Sequence, residues 1–272
     1  MDKYKITETS QFKLAHFDPD ETDLWPEGKK EAKKEINKLR EDLINLQRTL
    51  YAENKHKLLI LLQAMDAGGK DGTIRSIFKG INPQGVKVAG FKVPTEEEIS
   101  HDYLWRIHKH TPGNGEIVIF NRSHYEDVLV VRVHQLVPEK RWKKRYHHIR
   151  EFEKLLFDEG TTILKFFLHI SPDEQKERFM ERIEIKEKQW KFNPGDLEER
   201  KLWGKYMDAF QQAIKETSTD YAPWYVIPAN RNWYRDYVVT SIIVDTLKNL
   251  KMKYPNPIED IEKYKPLLLQ EE

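Results

Sequence analysis

The chain has no cysteine among its 272 residues. That excludes a disulfide framework, a thiolate nucleophile and Cys-based zinc or iron–sulfur centres, and it fits a reducing compartment, expected to be the cytoplasm. Long apolar runs are missing too. The greasiest stretch, LLILLQAM, is too short to span a bilayer and too polar at Gln63, and the opening MDKYKITETS lacks an apolar signal core. Nor is there an excess of either charge: 46 Lys+Arg against 45 Asp+Glu leave a formal +1, a poor fit to a globally basic nucleic-acid binder or an acidic disordered tail. Any anion site must therefore be built locally. None of the 10 histidines falls in HExxH or a comparable ligand spacing, and no internal repeat is visible. The 39% of hydrophobic residues, with 11% aromatics, suffice for a packed core.

Residues 1–25 show no sustained period and read as an extended arm. From 27 to 55, Ile36, Leu39, Leu43, Leu46 and Leu50 recur at spacings of three and four, the stripe of an amphipathic helix packed on a core. Residues 57–63 form a near-continuous apolar run, the pattern of a buried parallel strand. Further β-branched runs at 86–93, 116–120, 162–170 and 224–227 alternate with helical segments. The alternation predicts an α/β fold, a five-stranded parallel sheet flanked by helices. With no Pro/Gly/Ser linker, residues 1–272 read as a single domain: arm and helix at 1–55, core at 56–250, and a helical insertion at 171–204.

Directly after the first strand comes AMDAGGKDGTIRSIF, a Gly-rich turn opening a helix. In a P-loop, glycines let backbone N–H groups curl around phosphate, the helix presents its positive end, and a Lys reaches the β/γ oxygens. Residues 64–73 have that form. Ala67, Gly68, Gly69, Lys70, Asp71, Gly72 and Thr73 are the candidate phosphate contacts, with Lys79 further along the same segment. The loop departs from GxxxxGK[ST] twice: Ala64 replaces the first Gly, and Asp71 stands where a Ser or Thr would offer its hydroxyl to Mg2+. The bland alternative is an ordinary strand-to-helix turn. Asp66 is the oddity, since its carboxylate would repel phosphate unless a metal or incoming nucleophile lies between them; the alternative is an N-cap.

The strand at 116–120 runs into Asn121-Arg122-Ser123-His124-Tyr125-Glu126-Asp127-Val128-Leu129. Ligands of open α/β sheets bind beyond the carboxyl ends of strands, so these residues should share a crevice with Lys70. Asn121 takes the place of a Walker B Asp. Ser123 and Glu126 fit a capping box, which leaves Glu126 readable as a helix cap or as a site carboxylate. Asp127 has no such partner, and Arg122 and Arg132 add positive charge.

The two motifs QAMDAGGKDGTI and IVIFNRSHYEDVLVVRVH together resemble the family-2 polyphosphate kinases, P-loop enzymes of thymidylate kinase-like fold with a helical lid. DYLWRIHKHTPGNGEIVIFNRS, the helix after SPDEQKERF, and KQWKFNPGDLEERKLWGKY extend the likeness over nearly the whole chain. The resemblance implies Mg2+-dependent phosphoryl transfer between inorganic polyphosphate and nucleotides (ADP, AMP, GDP), with Mn2+ as a possible substitute. It implies no nucleic-acid or membrane partner, and a homo-oligomer, dimer or tetramer, is expected. Glu126-Asp127-Val128-Leu129 is similar to the branch that phosphorylates both mono- and diphosphates; other branches carry Asn-Arg in place of Glu-Asp.

On this reading Asp66, Lys70, Asn121, Arg122, Glu126 and Asp127 are the catalytic set, with Asp66 and Asp127 holding the metal or aiming the acceptor. No general base is needed, because an acceptor phosphate is already ionised. Ser171, Pro172 and Glu174 mark a helix start, on which Arg178, Arg182 and Lys186 form one stripe and Glu177, Glu181 and Glu184 another. The stripe reads either as a solvated face or, by the resemblance, as a lid gripping polyphosphate. Arg141 to Arg145 (RWKKR) could contact a polyanion or be a solvated face, and Trp190, Trp203 and Tyr206 read as core. Two rivals stand beside the polyphosphate reading: an ATP-dependent nucleotide kinase of thymidylate kinase type, and a non-catalytic P-loop switch.

Overall fold

The computed structural model describes residues 1–25 and 27–269. In chain order its elements are α1 (Lys29–Glu53), β1 (Lys57–Gln63), α2 (Lys70–Ile77), β2 (Val86–Gly90), α3 (Glu96–Ser100), α4 (Trp105–His108), β3 (Ile117–Asn121), α5 (Val130–Val133) and α6 (Glu139–Asp158). There follow β4 (Thr161–His169), α7 (Pro172–Glu184), α8 (Lys186–Gln189), α9 (Gly195–Lys201), α10 (Trp203–Thr217), β5 (Trp224–Pro228), α11 (Asn232–Asn249) and α12 (Tyr264–Leu268). The strands form one parallel sheet of order β2-β3-β1-β4-β5.

The hydrophobic run of β1 is continuous because both of its faces are covered. Leu59 and Leu61 enter the layer with Phe152, Leu156, Phe210 and Ile214 of α6 and α10. Leu58, Ile60 and Leu62 meet Leu43 and Leu50 of α1 and Val239 and Ile243 of α11. The expected strands fall within a residue or two of the observed ones, except that β2 ends at Gly90. It is an edge strand with Val88 54% exposed, not a buried run to Val93. The architecture is the P-loop kinase fold.

The N-terminal residues are a strap held at separate points, not a free arm. Lys5 makes an antiparallel bridge with Tyr225, and Ile6 donates its N–H to the Trp224 carbonyl at 2.9 Å, covering the outer edge of β5. Tyr4, Ile6, Phe12 and Leu14 are buried. The Tyr4 hydroxyl meets Glu21 at 2.7 Å and the Tyr234 hydroxyl at 2.6 Å. Single anchors at irregular spacing leave no period to read.

Between β4 and β5 the chain departs into α7, α8 and α9. Ser171 caps α7 by accepting from the Glu174 N–H at 3.1 Å. The Glu174 carboxylate does not complete a capping box; it binds Arg178 at 2.7 Å. Ile185 is extended (φ −92°, ψ 112°) and breaks the helix. Arg178 and Arg182 therefore share α7, whereas Lys186 begins a separate helix, and the three-residue stripe does not exist. No described helix is long and apolar enough to cross a membrane.

Because Tyr4 is fully buried and hydrogen-bonded at the strap, Tyr4→Ala should lower unfolding stability by about 3–5 kcal/mol, read by urea denaturation. A loss near zero would mean that the strap does not hold the β5 edge.

Candidate active site

Parallel pairing aligns Leu62 of β1 with Asn121 of β3, so the turns that follow the two strands lie side by side. After β1, Gly68 donates its N–H to the Met65 carbonyl at 2.9 Å, and Ala67 (φ 60°) and Gly69 (φ 97°) take left-handed conformations before α2 begins at Lys70. A Cβ on Gly68 would lie 2.5 Å from the Ala64 Cβ and 2.8 Å from the Met65 carbonyl oxygen. At Gly69 it would run into the Arg235 guanidinium. The glycines are thus steric requirements of the loop.

The Lys70 ammonium donates to the Ala64 carbonyl at 2.9 Å. Burial first, and then the positive charge of Arg122, push its pKa down to about 8 against the opposing pull of Asp66, Glu126 and Asp71. Thr73 is buried and returns its hydroxyl to the Gly69 carbonyl at 3.0 Å, so it locks the loop and offers no side chain to a phosphate. Asp71 is bound by Asn121 Nδ2 at 2.6 Å and lies 3.8 Å from Lys191. It links the P-loop to β3 and to the segment after α8. Gly72 continues the first turn of α2 beneath Arg235. Lys79 lies exposed beyond the C-terminal end of α2, about 13 Å along the axis from Lys70. The fold does not bring it to the loop.

After β3, Arg122 has φ 64°, a costly backbone for a non-glycine residue and one that clusters at functional sites. Its guanidinium binds Asp66 at 2.7 Å and approaches Glu126 at 3.8 Å. Ser123 caps Tyr125, not Glu126, at 3.2 Å. Gln63, oriented to satisfy its neighbours, donates to Glu126 Oε1 at 3.0 Å and accepts from the Ser123 N–H at 3.0 Å. Glu126 is therefore no capping-box residue; its carboxylate lies between Arg122 and Gln63, and burial raises its pKa. Asp66 likewise caps nothing with its carboxylate. Asp127 is held elsewhere: Arg145 binds both its carboxylate (2.8 Å) and its carbonyl (2.9 Å), while burial lifts its pKa to about 6. The two acids expected to share a metal are thus engaged by different cations, and Glu126 joins Asp66 on Arg122 instead. Among the described residues no three acids or histidines form a ready cage. A hard ion such as Mg2+ needs only one or two carboxylates together with phosphate oxygens, which Asp66 and Glu126 fit.

The segment α7–α9 lies over this crevice. Gln175 donates to the Asp66 carbonyl (2.9 Å), and Arg178 donates to the Ala67 carbonyl (2.9 Å) and the Ala229 carbonyl (2.6 Å). Arg182 pairs with Asp196 at 2.9 Å, and burial, then nearby Asp66, raises the Asp196 pKa. Lys186 is exposed. Tyr206 is buried beside the crevice and gives its hydroxyl to Glu199 at 2.5 Å, whereas Trp190 is 78% exposed and not core. Arg132 stacks over Trp142 at 5.0 Å and lines a separate groove of about 1060 Å3 between α5, α6 and α10, away from the P-loop. The cavity at the crevice itself, bounded by Asp66, Arg122, Glu126 and Tyr206, is only about 30 Å3.

Sequence reasoning missed Arg145, Arg235, Gln175, Lys191 and Asp196. Arg145 was visible only as one cation of RWKKR, yet it is buried and turned to Asp127 while Arg141, Lys143 and Lys144 stay exposed. Arg235 had no signal in its own segment; it lies buried on α11, bound to Asp236.

Residues 27–255 match the family polyphosphate kinase 2. The chain is 60% identical to the AMP/ADP-polyphosphate phosphotransferase of Meiothermus ruber, over 97% of this chain and 98% of that protein. It is 44% identical to the ADP-polyphosphate phosphotransferase of Rhodopseudomonas palustris, over 91% and 92%. The crystal structure of polyphosphate kinase 2 from Arthrobacter aurescens superposes with a TM-score of 0.95 at 40% identity, covering 98% of this chain and 95% of that one.

Lys70 loses its charge as pH rises through about 8, where the displaced pKa lies. A bound phosphate would hold the proton on and raise that pKa, so phosphate-chain affinity should be flat below it and fall steadily above it. Calorimetric titration of polyphosphate between pH 6.5 and 9.5 checks this. An unchanged affinity over that range would remove Lys70 from phosphate binding.

Proposed function

The chain belongs to the polyphosphate kinase 2 family, and on that premise we propose that it moves phosphoryl groups from inorganic polyphosphate to ADP, and also to AMP and GDP. The observation that carries this is the joining of the P-loop to the turn after β3 through Arg122, which gathers Lys70, Asp66 and Glu126 in one crevice. Nothing favours ATP as the obligatory donor or a switch without turnover.

Phosphoryl transfer passes through a loose transition state that needs positioning and charge neutralisation more than covalent help. Lys70 and the N–H groups of Gly69 and Gly72 hold the phosphates at the transfer point, while the Gly68 N–H closes the turn on the Met65 carbonyl. Arg122 orients the acceptor phosphate, and its left-handed backbone keeps the guanidinium between Asp66 and Glu126 without a further search. Asn121 fixes Asp71, and so the start of α2, against β3. Arg178 staples the lid, residues 171–204, to the loop, while Lys191, Arg182 and Lys186 carry positive charge for the rest of the polyphosphate. A cavity of about 30 Å3 admits about one water, so the lid must open to take a nucleotide and close to exclude water. Asp66 with Glu126 would hold Mg2+, or Mn2+ in its place, and Asp127 would stand behind them on Arg145. The ion would neutralise phosphate charge. The enzyme works as one domain in the cytoplasm, where its nucleotides are, and as a homo-oligomer. The exposed apolar residues Tyr254, Ile258, Leu267, Leu268 and Leu269 support self-association.

Acceptance of AMP brings the α-phosphate to where the β-phosphate of ADP would sit, one phosphate unit away. Glu126 supplies the extra carboxylate for such a shift, and the relative from Meiothermus ruber is named for both acceptors.

A matrix of polyphosphate or ATP against AMP, ADP, GMP and GDP, with Mg2+, should show ATP formed from ADP and polyphosphate; no transfer from polyphosphate to any nucleotide sinks the assignment. Lys70→Ala and Asp66→Ala should each cost about 3–5 kcal/mol of transition-state stabilisation, several orders of magnitude in turnover, in folded protein. Glu126→Gln should change the AMP-to-ADP activity ratio at least about tenfold, roughly 1.4 kcal/mol. An unaltered ratio would leave Glu126 outside acceptor choice.

A further inference from the structure

Beneath the turn after β3, β4 carries a lysine where its alternation calls for an apolar residue. Ile163 and Phe167 face the α6–α10 layer, and Lys165 between them is fully buried. Its ammonium donates to Glu153 at 2.6 Å, to the Tyr125 hydroxyl at 2.9 Å and to the Thr217 carbonyl at 2.8 Å. Tyr125 in turn donates to Glu153 Oε1 at 2.8 Å, and His124 Nε2 lies 3.4 Å from the same oxygen. The Tyr125 hydroxyl is also 3.0 Å from Thr217 Oγ1.

A fully buried ion pair is a poor source of net stability, because desolvation offsets its attraction and well-packed apolar residues often do as well. What this pair does supply is a fixed place for two side chains. His124 and Tyr125 point down into it, and they belong to the same 3-10 turn, His124–Asp127, that carries Glu126 and Asp127. Four residues of 3-10 helix have too few hydrogen bonds of their own to keep one geometry. Gln63 steadies Glu126 and Arg145 steadies Asp127, while the buried pair, with Thr217, holds the side chains of the half of the turn below them.

We propose that Lys165 and Glu153 are positioning residues for the reaction: by anchoring Tyr125 and His124 they set the turn that presents the Glu126 carboxylate to the acceptor, with Asp127 behind it on Arg145. This rests on the assignment of that turn to acceptor use. Tyr125→Phe removes the hydroxyl that joins turn to ion pair and keeps the ring edge-on to Trp224, a contact of 4.8 Å between centroids. In the full chain with Mg2+, kcat/KM for ADP should fall about tenfold while KM for polyphosphate stays within about twofold. A merely structural role would lower the melting temperature alone or weaken both substrates alike. Thr217→Val, which removes the second hydroxyl, should move the same constant in the same direction by less, and carries the test if Tyr125→Phe does not fold. ADP constants within about twofold of the parent in a folded variant, or equal losses for both substrates, overturn the proposal. A parent that transfers nothing from polyphosphate removes the acceptor assignment and this inference with it; an active parent with unmoved variants removes the inference alone.

Discussion

The parallel register of β1 against β3 is the constraint on which the rest of the molecule depends. Pairing Leu62 with Asn121 puts the P-loop and the turn after β3 at one height. A slip of one residue would exchange the side chains that enter the two layers and offset the two turns, so the layers and the crevice depend on the same pairing. Packing of Leu58, Ile60 and Leu62 on α1 and α11, and of Leu59 and Leu61 on α6 and α10, therefore brings together the two turns that the Asp66–Arg122 ion pair joins at 2.7 Å.

Within that frame the crevice concentrates opposed charges that would separate in water. Lys70, Arg122, Asp66 and Glu126 are partly or wholly removed from solvent, and burial opposes the charged forms of Lys70 and Glu126. On the proposed function, a phosphate chain arriving with its own negative charge would meet cations already held in place, with little reorganisation on transfer. The segment α7–α9 adds charges and bonds to the same crevice. Asp196 stands near Asp66 and Arg122, and Arg178 reaches the Ala67 carbonyl.

The parallel sheet and the Gly-rich turn after its first strand were legible because buried parallel strands are written as apolar runs and a Gly-Gly-Lys turn between such a run and a helical pattern stands out. Glu126 was ambiguous for a physical reason. Ser-x-x-Glu describes a capping box only if a regular helix follows, and a 3-10 turn follows instead, with Ser123 bonded to Tyr125. The Arg178, Arg182 and Lys186 stripe failed because periodicity assumes an unbroken helix, and the break at Ile185 carries no Gly or Pro to announce it. Asp127 reads as a metal ligand in the sequence, and its pairing with Arg145, 18 residues away within a run of similar cations, has no signal there. Tertiary pairing of that kind leaves no local trace, and the same holds for Arg235 over the P-loop.

The two borders of the sheet are treated unequally. At β5 the chain's own first residues occupy the pairing groups through Lys5 and Ile6, whereas β2 is short, with Val88 open and Lys87 paired to Glu116. Strand-to-strand growth needs two adhesive borders per molecule, one to receive and one to offer. Among the described residues the β5 border is taken by the chain's own Lys5 and Ile6, so growth of that kind has no free groups to pair with at that end.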